Sequence, residues 1–235
     1  MHVHPNQVRS HPAAGVPDPM MTASSCTSAA RSVLRRRLER QDVAANRYHD
    51  RRLGVEVVNI VVGGCVVTDD PNVVITTTLG SCVAACLYDP VAEIGGMNHF
   101  LLPDAGLDVL SLSSRYGATA MEQLINRLLT VTGRRDRLRA KVFGGANVNL
   151  NTLRTANIGL RNVEFVMEYL ATEGIPTVSW DVGGASPRAV RFFPTSGRSQ
   201  RRLIGGQTLH DIARNESSYM EHLRKTRIEG DVELF

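Results

Sequence analysis

Short β-branched runs alternate along the chain with longer stretches of helical spacing. Val55 to Val62 is a largely apolar run, broken by Gly63-Gly64 before Cys65-Val66-Val67-Thr68. Asp69-Asp70-Pro71-Asn72 carries the residues of a turn, and Val73 to Thr78 then predicts a strand. Cys82 to Tyr88 and Ile94 to Leu102 read as a hairpin turning over Asp89 to Ala92. From Ser114 the period changes: Ala118, Met121, Leu124, Ile125 and Leu128 fall at helical spacing, and Gly133 ends the helix. Lys141-Val142-Phe143 is a short strand running into Gly144-Gly145-Ala146-Asn147. A second helix starts at Asn157 or Ile158, presents Val163, Val166, Met167 and Leu170 on one face, and stops at Gly174. Thr177 to Val182 and Ala189 to Phe193 predict strands, a last short strand lies near Leu203, and 208–227 reads as a polar helix. Strands and helices mix without a regular βαβ alternation or an internal repeat. That predicts an α/β chain of the α+β or layered kind, folded as a single domain.

The N-terminal part has a different character. Residues 1 to about 28 are rich in Pro, Ser, Ala and Thr without periodicity, the composition of a disordered tail. Residues 29–50 predict a marginal helix with Leu34, Leu38 and Ala45 near one face and Tyr48 anchoring its end. The expected organisation is a basic arm over 1–47, the main domain over 48–206, and a helical extension over 207–235.

Charge sharpens that division. Residues 1–52 hold nine Arg against Asp18, Glu39, Asp42 and Asp50, a balance of +5, while the remainder is close to neutral at −1. The basic excess therefore belongs to the arm, and no aromatic residues are interleaved with the Arg run to stack on bases. No nucleic-acid partner is expected, and the basic arm reads as a solvated, partly disordered extension. No apolar run approaches the roughly 18–20 residues of a membrane span, and the first 20 residues lack a signal-peptide core. A cytoplasmic protein without membrane insertion is expected. The four cysteines (26, 65, 82 and 86) form no CxxC pair and no dense framework, so reduced thiols are expected. Cys65 reads as a small buried hydrophobe. Without a second Cys/His pair the chain offers no zinc set, and no metal is expected.

The chemistry concentrates in the hairpin. With Asp89 to Ala92 as the turn, the centre lies between Pro90 and Val91, which puts Cys82 and His99 directly opposite each other on one face. A thiol beside an imidazole is a nucleophile–base pair. The base needs an orienting partner on its other nitrogen, and Thr76, Thr77 and Thr78 are all candidates on the preceding segment. Gly80-Ser81 permits a sharp turn, so that the Cys82 N–H and a neighbour can hold an oxyanion. Gly95-Gly96 opposite is expected to keep the cleft open. The competing reading is a buried thiol against a core imidazole. The glycines flanking both residues argue against it, because core strands avoid them.

Thr-Leu-Gly-Ser-Cys82-Val-Ala-Ala-Cys-Leu-Tyr-Asp-Pro, followed by Ile-Gly-Gly-Met-Asn-His99-Phe-Leu-Leu-Pro, resembles the signature of the CheD family of chemoreceptor glutamine deamidases. The likeness continues through Gly144-Gly145-Ala146-Asn147, Asn157-Ile158-Gly159, Arg161-Asn162-Val163-Glu164 and Asp181-Val182-Gly183-Gly184 with Arg188, covering roughly 48–205. It implies a layered α/β sandwich related to the catalytic domain of cytotoxic necrotizing factor toxins. It implies Cys82 as nucleophile, His99 as base and Thr76, six residues before the cysteine, as the orienting threonine. Gly80, Ser81, Asn98 and Gly145 are the further candidates for substrate contact or an oxyanion hole. The implied reaction is hydrolysis of a glutamine side-chain amide on methyl-accepting chemotaxis receptors, through a thioester and without a cofactor. The implied partners are the cytoplasmic receptor helices and a CheC-type phosphatase, with the chain acting as a monomer. Two alternatives remain beside this reading: a non-catalytic regulator that binds receptors or a CheC-type partner, and a papain-like peptidase sharing the chemistry.

Overall fold

The computed structural model describes residues 46–102, 110–147 and 158–205, together with 36, 38, 42, 212, 214–216, 218, 219 and 221. The expected N-terminal tail, the loop from Pro103, the first possible start of the second helix at Asn157, and most of the arm and of the C-terminal extension lie outside the described residues. Among the described residues ten strands run β1 Asn46–Asp50, β2 Val55–Asn59, β3 Cys65–Thr68, β4 Val73–Leu79, β5 Val83–Asp89, β6 Ile94–Asn98, β7 Arg139–Gly144, β8 Thr177–Val182, β9 Arg188–Phe193 and β10 Arg198–Leu203. Two long helices, α1 Leu110–Thr132 and α2 Ile158–Thr172, fall before and after β7.

The strands form two five-stranded sheets, one ordered β1-β2-β4-β9-β10 and the other β3-β6-β5-β7-β8. Only β2 with β4 and β7 with β8 pair in parallel; the other pairs are antiparallel. The second sheet is buried on both faces over β3, β6 and most of β5, and strand alternation sorts its side chains into two cores. Val83, Ala85 and Leu87 face α1 and α2, where Met121, Leu124, Ile125, Leu128, Val166 and Leu170 cover them. Cys82, Ala84, Cys86, Met97 and Leu101 face the first sheet and meet Val58, Ile75, Leu79, Val190 and Phe192. The architecture is thus sheet, sheet and helices in three layers, the mixed α/β arrangement expected. Among the described residues no helix is long and apolar enough to cross a membrane.

Both helices stop at glycines whose positive φ (+60° at Gly133, +66° at Gly174) reverses the chain at little cost. The first helix begins at Leu110, four residues before the expected Ser114. The larger departure is at the N-terminal edge. Residues 46–50 form not the end of a helix but an antiparallel edge strand, with Tyr48 opposite Val57. Before β1, helical residues are described only at 36 and 38. A weak helical pattern gives way where an open sheet edge offers a full set of backbone partners. Tyr48 is half exposed, and the anchor is Leu38, buried in the core beside the helices. Asp42 follows it inward, accepting from Arg127 at 2.5 Å and from the Val67 N–H at 3.2 Å. The folded unit therefore reaches further toward the N-terminus than residue 48.

Candidate active site

Cys82 sits in the bend between β4 and β5, on a backbone held from one side. The Gly145 N–H donates to the Cys82 carbonyl (2.7 Å), the Ala146 N–H to the Gly80 carbonyl (2.7 Å) and the Asn162 side-chain amide to the Ser81 carbonyl (2.8 Å). Gly144, at φ +111°, approaches so closely that a Cβ there would strike the Cys82 carbonyl. With their carbonyls occupied, Gly80, Ser81 and Cys82 turn three consecutive N–H groups the other way. Such a nest of amides is an anion-binding concavity.

The register of the hairpin differs from the expected one. Cys86 pairs with Met97, Asp89 with Ile94, and Val83 bridges to Phe100. The loop is Pro90 to Glu93 rather than Asp89 to Ala92, since the Asp89 carboxylate accepts from the Val91 and Ala92 N–H groups and Glu93 takes φ +52°. His99 consequently lies beside Ala84, two residues along from Cys82. A shift of two preserves the face, so thiol and imidazole become diagonal neighbours on the inter-sheet side. Diagonal positions are roughly 7–8 Å apart, a span that a long ring bridges.

His99 is fixed by its own backbone and by the other sheet. Its N–H donates to the Gly64 carbonyl (2.9 Å), and its carbonyl accepts from Gly63 (2.7 Å). Its Nδ1 lies 2.8 Å from the Thr77 hydroxyl, which donates to the Ile60 carbonyl at 2.8 Å. Because that hydroxyl proton is directed at Ile60, the Thr77 oxygen accepts from Nδ1–H. The tautomer that follows leaves Nε2 unprotonated. Nε2 is buried and has no hydrogen-bond partner among the described residues. Burial pushes the His99 pKa down to about 3, against a smaller upward pull from the Ile60 carbonyl. The ring is neutral at physiological pH.

The threonine on the imidazole is therefore Thr77, not Thr76. Val73, Ile75, Thr77 and Leu79 alternate inward along β4, and Thr76 faces the other way, toward Asn59 at 3.3 Å. Two further candidates have other duties. The Asn98 side chain accepts from Ala85 N–H (3.0 Å) and donates to the Ala120 carbonyl (3.0 Å), tying β5 to α1. The Gly145 N–H is engaged by the Cys82 carbonyl. Gly183-Gly184 wraps the buried Arg188 guanidinium, which donates to the Gly183 carbonyl and pairs with Asp181. A cavity of about 150 Å³, lined by Gly63, Gly64, Asn98, His99, Tyr116 and Gln123 among others, opens on the histidine side.

Two residues at the site were left out by sequence reasoning, Asn162 and Glu216, while Thr77 was one of the three threonines it held open and is the one that meets Nδ1. Asn162 was legible as the one polar position on the buried face Ile158, Asn162, Val166 and Leu170. Glu216 comes from the helical residues beyond β10. Its carboxylate accepts from the N–H groups of Gly80 (3.1 Å), Ser81 (3.2 Å) and Cys82 (3.2 Å) and from the Ser81 hydroxyl (2.6 Å). Burial pushes the Cys82 thiol well above its ordinary value, and the charge of Glu216 and the hydrogen bond to it push the same way. With Glu216 in place the pair is a protonated thiol and a neutral imidazole.

Comparison with known proteins bears on the same residues' setting. A family model described as CheD chemotactic sensory transduction matches residues 101–202. The chain is 44% identical over 196 residues to a probable chemoreceptor glutamine deamidase CheD 1 of Dechloromonas aromatica, covering 83% of this chain and 96% of that one. It is 48% identical over 195 residues to a probable chemoreceptor glutamine deamidase CheD 1 of Shewanella oneidensis, covering 81% and 93%. A probable chemoreceptor glutamine deamidase CheD of Thiobacillus denitrificans is 44% identical over 198 residues, with 83% and 97% covered. Identity at that level over nearly the whole length of each relative means that this chain belongs to the CheD family.

Proposed function

We propose that this protein is a glutamine deamidase acting on chemoreceptors, with Cys82 as nucleophile, His99 as general base and acid, and Thr77 as the residue that orients the imidazole. The observation that carries the reading is the floor of three backbone N–H groups at Gly80, Ser81 and Cys82. It already holds a side-chain carboxylate at 3.1–3.2 Å, beside a thiol and a histidine with a free Nε2. That floor suits the oxygen of a glutamine amide, and better still the oxyanion that forms when its carbon becomes tetrahedral.

In this scheme Nε2 takes the thiol proton as Sγ attacks the amide carbon, and returns it to the nitrogen as the C–N bond breaks and ammonia leaves. The resulting thioester is opened by water, which loses a proton to the same Nε2. The products are glutamate and the regenerated thiol. The cavity beside His99 is large enough for several waters, which supports a hydrolytic second half. Thr77 holds Nδ1–H throughout, so that Nε2 is the atom that moves protons. A chemoreceptor substrate follows from what the relatives are named for. A CheC-type partner and a monomeric state stay with the proposal as the family's expected context.

Ammonia release from a purified receptor cytoplasmic domain tests the reading. Wild-type protein releases ammonia stoichiometric with the glutamines converted, and Cys82→Ala and His99→Ala release none. Undiminished release by Cys82→Ala contradicts the assigned nucleophile. Receptor binding without release by the wild type favours the non-catalytic alternative.

A further inference from the structure

The helical residues beyond β10 meet the site along one face. Ile212, Glu216 and Tyr219 recur at the i, i+4, i+7 spacing that aligns side chains on one side of a helix. They span the site from the cysteine loop to the histidine side: a Cβ at Gly80 would meet Ile212 Cγ2 at 2.9 Å and Glu216 Oε1 at 2.7 Å, and a Cβ at Gly63 would meet the Tyr219 hydroxyl at 2.9 Å. The Tyr219 hydroxyl also bonds that of Tyr116 on α1. Residues 214, 215, 218 and 221 are exposed. Glu216 itself is 9% exposed, and the four donors on its carboxylate are neutral N–H and O–H groups. That is how a ligand is held, not how a surface ion pair is made.

We propose that the floor Gly80–Cys82, with the Ser81 hydroxyl, is the subsite for a glutamine or glutamate side chain presented from a helix, and that the chain's own helical residues beyond β10 fill it, with Glu216 standing where the product's carboxylate stands. The proposal rests on the deamidase reading and adds the identity of the resident occupant. A substrate helix must displace this one before its glutamine can reach Cys82. A tethered segment acts at an effective concentration on the order of millimolar, so the helix is a strong competitor for dilute substrate. The choice of glutamate fits that role. Its carboxylate satisfies the three N–H groups, cannot be deamidated, and holds the thiol protonated by adding a negative neighbour to the effect of burial.

An amide at the same position reverses each of these properties. In Glu216→Gln the side-chain oxygen sits on the N–H floor without a negative charge beside the thiol. Cys82 Sγ attacks the amide carbon of residue 216, the C–N bond breaks, and ammonia departs with the proton carried by His99. One water then opens the thioester, restoring the thiol and leaving a carboxylate. The net change is glutamine plus water to glutamate plus ammonia, within one chain.

The test uses the full-length chain and two independent readouts. First, iodoacetamide labelling is mapped by peptide mass spectrometry in wild type, Glu216→Ala and Glu216→Ala/Tyr219→Ala. Labelling at Cys82 is expected to rise at least about tenfold once the cover is loosened, while the core thiols Cys65 and Cys86 keep their wild-type rates. An unchanged Cys82 rate overturns the proposal without reference to any enzymatic activity. Second, Glu216→Gln is incubated and residue 216 is followed for the mass gain of amide to acid, with Glu216→Gln/Cys82→Ala as control. Conversion that depends on Cys82 is expected. If the wild type deamidates receptor glutamines but residue 216 stays an amide, the subsite assignment is overturned and the deamidase reading survives. If neither is converted, the deamidase reading falls and the proposal with it.

Discussion

At the scale of the residue, the outcome turns on which face of a strand a side chain occupies. Thr76 and Thr77 are neighbours in β4 and point to opposite sides. The family spacing selects Thr76, whereas the sandwich turns Thr77 toward His99 Nδ1. The distinction has a measurable consequence. Thr77→Val removes the acceptor of Nδ1–H at nearly constant volume and releases the tautomer, so turnover of receptor glutamine is expected to fall about 100-fold. Thr76→Val is expected to stay within about threefold, as for a substitution away from the reacting groups. The reverse order in parallel kcat measurements contradicts the geometry at His99. Cys82 and His99 themselves were legible because an error of two in the hairpin register leaves both on the same face; an error of one would have separated them. Asn98 was misleading for the opposite reason. Its place beside His99 in the sequence suggests a ligand contact, but the next residue on a strand points away, here into α1.

At the scale of the element, α2 holds the loop that carries Cys82 through the Asn162 amide. Asn162 accepts from the Leu102 N–H at 2.8 Å and donates to the Ser81 carbonyl at 2.8 Å, fully buried on a face that is otherwise apolar. Asn162→Leu leaves both groups without their partner and is expected to cost about 1–3 kcal/mol of stability, read as a lower urea midpoint. Asn162→Asp keeps an acceptor for Leu102 but loses the donor to Ser81. Its activity is expected to fall further than its stability if the loop's aim at substrate depends on that bond. Equal losses in both quantities would make Asn162 a packing residue only. The two long helices were legible from apolar spacing and from Gly133 and Gly174. The strand β1 was not, because its partner β2 supplies what its own sequence lacks. Nor was the docking of the helical residues beyond β10. Glu216 among polar neighbours reads as a solvated position until the N–H floor beneath it is known.

At the scale of the whole molecule, the mixture of strands and helices indicated a layered α/β domain, but not the order of the strands. That order depends on distant pairings such as β4 with β9 and β7 with β8, which no local pattern encodes. The layering buries His99 as a neutral ring, and this couples the site to the stability of the fold. The unfolded chain takes up a proton at His99 near the ordinary value of 6.5, whereas the folded chain resists protonation down to about 3. Between those values the unfolded state binds more protons, so stability falls as pH falls through the window. A His99→Gln variant is expected to lose less stability than wild type between about pH 7 and about pH 5 in urea titrations. A steeper loss in the variant contradicts a neutral buried imidazole.

The account stands or falls on what Cys82 does to a receptor glutamine. Peptide mapping by mass spectrometry of receptor cytoplasmic helices, after incubation with wild-type or Cys82→Ala protein, measures that directly. The expected result is conversion of particular glutamines to glutamates by the wild type alone, with the receptor backbone intact. Conversion that persists with Cys82→Ala, cleavage of the backbone, or helices left unchanged by the wild type would contradict it.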